Sequence, residues 1–314
     1  MGELIGRACA MQRVSRIGLL LGIFVAFSLD SSADADDALS ADDLQGKRIV
    51  FVGDSITQAG GYISFVQYFL EKTSPSESFD VLGLGLASET LSGLSEPNHA
   101  GGRFPRPCLF ERLGRLLEKS RPDVVFACYG MNDGIYMPLD DKRFAAFKEG
   151  VQQLMKDCRG AGVSQIVLIT PPIYDLPPGT EGFNYDSVLT AYGEWEKTLR
   201  GESVQVIDLH TAMGKARDDR ETPFSRDRVH PGEEGHWLMA QVILDAIGVD
   251  TGDMSLAEVK ADGLYQAVAQ LRKHRSSSWM SHIGYTREKT VKPSPLDGSL
   301  QKEQILRRKV DELK

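Results

Sequence analysis

Cysteine is nearly absent from this chain: there are four, and Cys9 lies in an apolar leader, leaving Cys108, Cys128 and Cys158. Their spacing makes no disulfide framework, and none stands near a histidine at a metal-ligand interval, so a cystine-knit scaffold and a zinc module are excluded. One Cys108–Cys158 bridge stays open, while Cys128, in Val124-Val125-Phe126-Ala127-Cys128, reads as a small buried hydrophobe. Basic blocks are missing too. The balance is 36 Lys+Arg against 44 Asp+Glu, with no cationic run interleaved with aromatics. Nucleic acid and anionic membrane surfaces are therefore excluded as main partners. No apolar run reaches the ~20 residues of a comfortable membrane span. The acidic pairs Asp140-Asp141 and Asp218-Asp219 lack a ligand constellation and read as solvated charge, so no metal is expected.

What is present begins with a leader. Arg7, Arg13 and Arg16 precede an apolar run at residues 17–29, followed by the small residues of Ser31-Ser32-Ala33-Asp34-Ala35. This is the layout of a secretory signal. Residues 1–33 are expected to be that signal, and the product to be exported, periplasmic or secreted; a retained N-terminal anchor is the alternative. Residues 34–45, acidic and rich in Ala and Ser, read as a linker. Residues 46–250 read as the main domain. Residues 251–314 read as a C-terminal helical appendage, since so short a span rarely builds its own core.

Within the main domain, short β-branched runs alternate with amphipathic stretches. Strands are expected at residues 48–52, 80–84, 123–129, 165–170 and 204–207. Helices are expected at 63–72, 110–118, 144–159, 187–199 and 237–247, with 255–273 and 300–313 beyond them. Such alternation predicts a parallel sheet covered by helices on both faces. Ligands of these sheets bind at the carboxyl ends of the strands.

Chemistry-bearing residues fall at those ends. Ile49-Val50-Phe51-Val52 stops at Gly53-Asp54-Ser55, which puts a hydroxyl at a rim. A serine hydroxyl is a poor nucleophile until a base takes its proton, and His230 can do so near neutral pH. Asp227, three residues earlier, can hold the far ring nitrogen and fix the tautomer. Asn132, in Gly130-Met131-Asn132-Asp133-Gly134, and the small-residue loop Gly83-Leu84-Gly85-Leu86-Ala87-Ser88 can supply donors to an oxyanion. Asp133 reads as structural. His210, at the end of the fifth strand, competes for the base role but reads as a supporting group. Arg103 and Arg106 lie in the long loop after the second strand, where they are expected to recognise a carboxylate or sugar hydroxyls; two solvated arginines are the alternative.

Taken in order, Gly53-Asp54-Ser55-Ile56, Gly130-Met131-Asn132-Asp133 and Asp227-x-x-His230 resemble the sequence blocks of the GDSL/SGNH hydrolase family over residues 47–247. The resemblance implies a flavodoxin-like three-layer α/β/α sandwich with a five-stranded parallel sheet, and ester hydrolysis without metal or other cofactor. It implies Ser55 as nucleophile, His230 as base, Asp227 as its orienter and Asn132 as an oxyanion donor. One block departs. The family usually places glycine at the oxyanion position of the second loop, and aligning on Glu89-Thr90 puts Ser88 there. A backbone N–H survives that change if the local dihedrals tolerate a Cβ. The expected activity is removal of a short acyl group, acetyl first, from a small-molecule or oligosaccharide ester. The alternatives are a lysophospholipase or thioesterase acting on longer chains, and an inactive carbohydrate-binding protein.

Overall fold

A computed structural model describes residues 39–177 and 179–314; the expected signal segment lies outside them. In chain order the elements begin with β1 (Arg48–Gly53), α1 (Ser55–Ala59), α2 (Gly61–Thr73), β2 (Asp80–Gly83), α3 (Leu113–Ser120), β3 (Val124–Cys128) and α4 (Asp141–Gly160). They continue through β4 (Gln165–Ile169), α5 (Asp186–Lys197), β5 (Val204–Ile207), α6 (Leu209–Asp218) and α7 (Glu233–Ala246). Beyond these come α8 (Leu256–Ala261), α9 (Gly263–Ile283), the short strands β6 (Tyr285–Thr286) and β7 (Thr290–Val291), and α10 (Asp297–Asp311).

The first five strands form one parallel sheet in the order β2-β1-β3-β4-β5, flanked by helices in a three-layer α/β/α arrangement. β1 and β3 are buried along nearly their whole length because both faces carry helices, which is why they appear in the sequence as continuous apolar runs. The chain steps from β1 outward to β2 and then back across β1 to β3. The loops leaving β1 and β3 therefore diverge, and the crevice between them is where such sheets take ligands. On one side Trp237 of α7 packs on Phe65 and Phe69 of α2. Elsewhere Phe147 of α4 stacks on Tyr192 of α5 at 4.3 Å. No helix among the described residues is long and apolar enough to cross a membrane. Cys108, Cys128 and Cys158 are free thiols, so the open disulfide does not form.

The ends of the chain differ most from expectation. Residues 39–45 are not a free linker: Leu39 and Leu44 are buried, and the Ala41 N–H donates to Ile247 O at 3.0 Å. The single helix expected at 255–273 is two. Ser255 and Glu258 close a capping box on α8, and Asp262 then caps α9 by accepting from the Leu264 N–H. α9 runs on to Ile283, past the polar Ser276-Ser277-Ser278. The buried stripe Leu271, Arg275, Trp279, Ile283 continues beneath those serines, and arginine stems serve in it as apolar surface. α6 is a further helix that the sequence pattern did not separate, and Thr286 and Thr290 pair in a small hairpin.

Candidate active site

Ser55 is the first residue of α1. Asp54 caps that helix by accepting from the Ile56 N–H at 2.9 Å, which leaves the Ser55 side chain free of the capping duty. Two glycines let the backbone close here. A Cβ on Gly53 would stand 2.6 Å from Cys128 O, and one on Gly85 would stand 2.3 Å from Gln58 N and 2.7 Å from Asp54 O. The β2 loop thus lies directly against α1, and Gln58 Oε1 secures it by accepting from the Ala87 N–H at 2.6 Å.

His230 reaches Ser55 from a turn before α7. Its Nε2 lies 2.8 Å from Ser55 Oγ, and its Nδ1 lies 2.7 Å from Asp227 Oδ2. Asp227 Oδ1 also accepts from the backbone N–H of Val229 and of His230, at 3.0 and 2.8 Å. The carboxylate is ionised, with its pKa at about 2: partial burial opposes this, but the hydrogen bonds from His230 and Val229 outweigh it. An ionised Asp227 only accepts, so Nδ1 carries the proton and Nε2 faces the serine as a base. Pro231 lies just before α7 without entering its first turn. It pairs with Ser225 in a bridge, while Gly232 caps the helix and donates to Phe224 O at 2.7 Å.

Asn132 is buried in the loop after β3. Its Oδ1 accepts from Arg106 Nη1 at 2.7 Å and from the Tyr136 hydroxyl at 3.3 Å. Its Nδ2 donates to Asp54 Oδ2 and Glu89 O, both at a long 3.2 Å. Arg106 is neither solvated nor free for substrate. It forks onto Glu96 with two 2.7 Å bonds, lies over the Tyr136 ring, and orients the Asn132 amide. Arg103 is exposed, and bonds to Ala100 O at 2.9 Å and to Glu288 at 3.2 Å. Ser88 has φ 67°, in the left-handed region that glycine occupies without strain and a residue with a Cβ does not. Its hydroxyl accepts from Arg287 Nη2 at 3.4 Å. Asp54, next to the serine, is pushed up to about 7, by burial first and then by Asp133 and Glu89.

Asp133, His210 and several groups nearby are supports. Asp133 accepts from the N–H groups of Leu91, Ser92 and Gly130. His210 is committed to Pro171 O and Thr190. His99 lies against Glu96 and Phe104. Trp279 is buried under the Arg48 guanidinium, and His282 is held by Ser294 O, so both anchor the C-terminal region. Sequence reasoning missed Gln58, Glu96 and Arg287, because a polar side chain in a loop carries no sign of which backbone it will hold.

Serine, histidine and aspartate in a hydrogen-bonded line at the carboxyl end of a parallel sheet define the arrangement of a serine hydrolase. Residues 51–238, more than half of the chain, match the GDSL-like Lipase/Acylhydrolase family, and the chain belongs to it. It is a carboxylic-ester hydrolase. An acetylxylan esterase of Geobacillus stearothermophilus is 24% identical over 230 residues, covering 65% of this chain and 95% of that protein. The crystal structure of an acetylxylan esterase from that organism shares the fold, with a TM-score of 0.54 and 22% identity over 68% of this chain and 97% of that one. A catalytic mutant of it, with serine replaced by alanine, gives 0.52 and 21%, covering 67% and 98%.

Proposed function

We propose that this chain is an exported serine esterase that removes acetyl groups from carbohydrate. The observation that carries the reading is the unbroken line from Ser55 Oγ through His230 to Asp227, at 2.8 and 2.7 Å. Ser55 Oγ attacks the ester carbonyl as His230 Nε2 takes its proton. The tetrahedral oxyanion is received by the backbone N–H groups of Ser55 and Ser88, neither of which has a partner among the described residues, and by the Asn132 amide, which gives up one of its long 3.2 Å bonds to do so. Each such donor contributes about 3–4 kcal/mol. Collapse expels the sugar alkoxide, which takes the proton from His230. Water, deprotonated by the same nitrogen, then releases acetate from Ser55 and restores the hydroxyl.

Two observations favour a small acyl group on a polar alcohol. The Asp227 and His230 side chains are 58% and 52% exposed, so the site is open rather than a deep apolar tunnel. The cavity beside His230 is walled by Arg226, Glu233 and Glu234 as well as Phe224, groups suited to hydroxyls. Similarity to the acetylxylan esterase points the same way. The test compares p-nitrophenyl acetate with the octanoate, and measures acetate release from acetylated xylooligosaccharides, for wild type and Ser55→Ala. Acetate preference abolished in the variant is expected. Preference for octanoate overturns the acetyl reading, and an active Ser55→Ala overturns the mechanism.

A further inference from the structure

Beside α1 lies a second cavity, of about 470 Å³, whose opposite wall is α9. This is within the ~300–1,000 Å³ typical of small-molecule sites. Its charge is one-sided. The chain has an acidic excess, yet Arg272 and Lys273 line the cavity and no aspartate or glutamate does. Arg272 is buried, and among the described residues no carboxylate pairs with it; its Nε donates only to Ser64 Oγ, at 3.0 Å. The other buried arginines differ. Arg106 has Glu96, Arg112 has Glu89, Arg217 has Asp175, and Arg275 has Asp80 and Glu303. A buried guanidinium without a counter-charge is costly unless something else supplies the anion.

A second observation is independent of charge. Ser276 Oγ, on the same wall, is buried without a hydrogen-bond partner. Ser277 and Ser281 add two further hydroxyls along α9. Opposite them Gly83 contributes no side chain, and a Cβ there would stand 3.1 Å from Ser276 Oγ. The missing side chain lets α9 close directly onto the end of β2 at this point. α9 lies beyond the residues that match the family, so this wall is an addition to the shared fold.

We propose that this cavity is a second binding site, built for the carboxylate of an acidic sugar. Arg272 and Lys273 take the carboxylate, and the serines of α9 take ring hydroxyls. The carboxylate rests on Arg272; the sugar rests on the proposed carbohydrate substrate. Gln58 joins this cavity to the catalytic loop, since it lines the one and holds Ala87 of the other.

The test is isothermal titration of the full chain with D-glucuronate, D-glucose and acetate. Glucuronate is expected to bind once per chain and more tightly than acetate, and glucose not at all. Lys273→Ala, at an exposed position, and Ser276→Leu, which fills the cavity, should each weaken glucuronate at least about tenfold. Arg272→Met should lose binding while its ligand-free Tm stays at or above that of wild type, because an unpaired buried cation has been removed. Ser55→Ala should bind as wild type does, which separates this site from the ester site and its failure from that of the esterase reading. Absence of glucuronate binding, binding unchanged in Lys273→Ala and Ser276→Leu, or a lowered Tm in Arg272→Met overturns the proposal. Acetate binding as tightly as glucuronate overturns the sugar assignment.

Discussion

Replacing Asp227 by asparagine probes the proposed triad at the hydrogen bond that sets its polarity. The new side chain keeps the shape, and its oxygen can still accept from the Val229 and His230 N–H groups that Oδ1 serves at 3.0 and 2.8 Å. That leaves an NH₂ facing Nδ1, where Oδ2 now accepts at 2.7 Å. Nδ1 must then accept, its proton moves to Nε2, and Ser55 meets a donor instead of a base. In a serine protease the equivalent change lowers kcat about 10⁴-fold. Here the carboxylate is 58% exposed, so water can take part of its place. We expect kcat to fall about 10³-fold, roughly 4 kcal/mol of barrier, with KM within about threefold. Steady-state kinetics on p-nitrophenyl acetate measure both. A kcat within tenfold of wild type would refute the assignment and point to another carboxylate. The pH dependence has a matching sign. The pKa of about 2 lies below the ~3.9 of the unfolded chain, so this interaction stabilises the fold above about pH 4 and is lost as pH falls through 2.

Ser88→Gly removes a Cβ from a backbone at φ 67°; stability should rise by up to about 1 kcal/mol with kcat unchanged, because the N–H stays in place. A drop in kcat would assign a role to the hydroxyl, and calorimetry with kinetics decides. Gly85→Ala drives a Cβ to 2.3 Å from Gln58 N, against backbone that cannot yield, and should cost roughly 1–3 kcal/mol in denaturant melts and lower kcat as α1 shifts; a neutral variant contradicts the close packing. His236 is held down to about 4, by burial first and then by Arg272 and His230. Between pH ~6.5 and 4 the unfolded chain binds a proton that the folded chain refuses, so stability should fall by on the order of 3 kcal/mol across that window as pH drops. His236→Gln should flatten the slope, and thermal melts with equal slopes would show that other groups set it.

Much of the architecture was legible because burial on two faces leaves a simple mark. Val124-Val125-Phe126-Ala127-Cys128 admits no polar residue and pairs at the centre of the sheet. The three motif blocks were legible for a similar reason, since each sits where an apolar run stops. Arg106 was not. In sequence it is one cation in a glycine- and proline-rich loop, and only the fold brings Glu96 and Asn132 to its two sides. α9 was cut short in the reading because three serines interrupt its polarity pattern, whereas the stripe that matters runs beneath them.

The order of residues alone determined which segments are strands, which hydroxyl stands at a rim, and that a histidine follows an aspartate by three, all properties of local pattern. The tertiary structure decided what meets across 175 positions, as Ser55 and His230 do. It also decided which charges are paired, leaving Arg272 without a carboxylate among the described residues while Arg275 beside it has one. Periodicity and turn chemistry act between residues a few positions apart and are written along the chain. Pairing and burial of polar groups depend on strand order and helix docking, and exist only once the sheet has closed those distances.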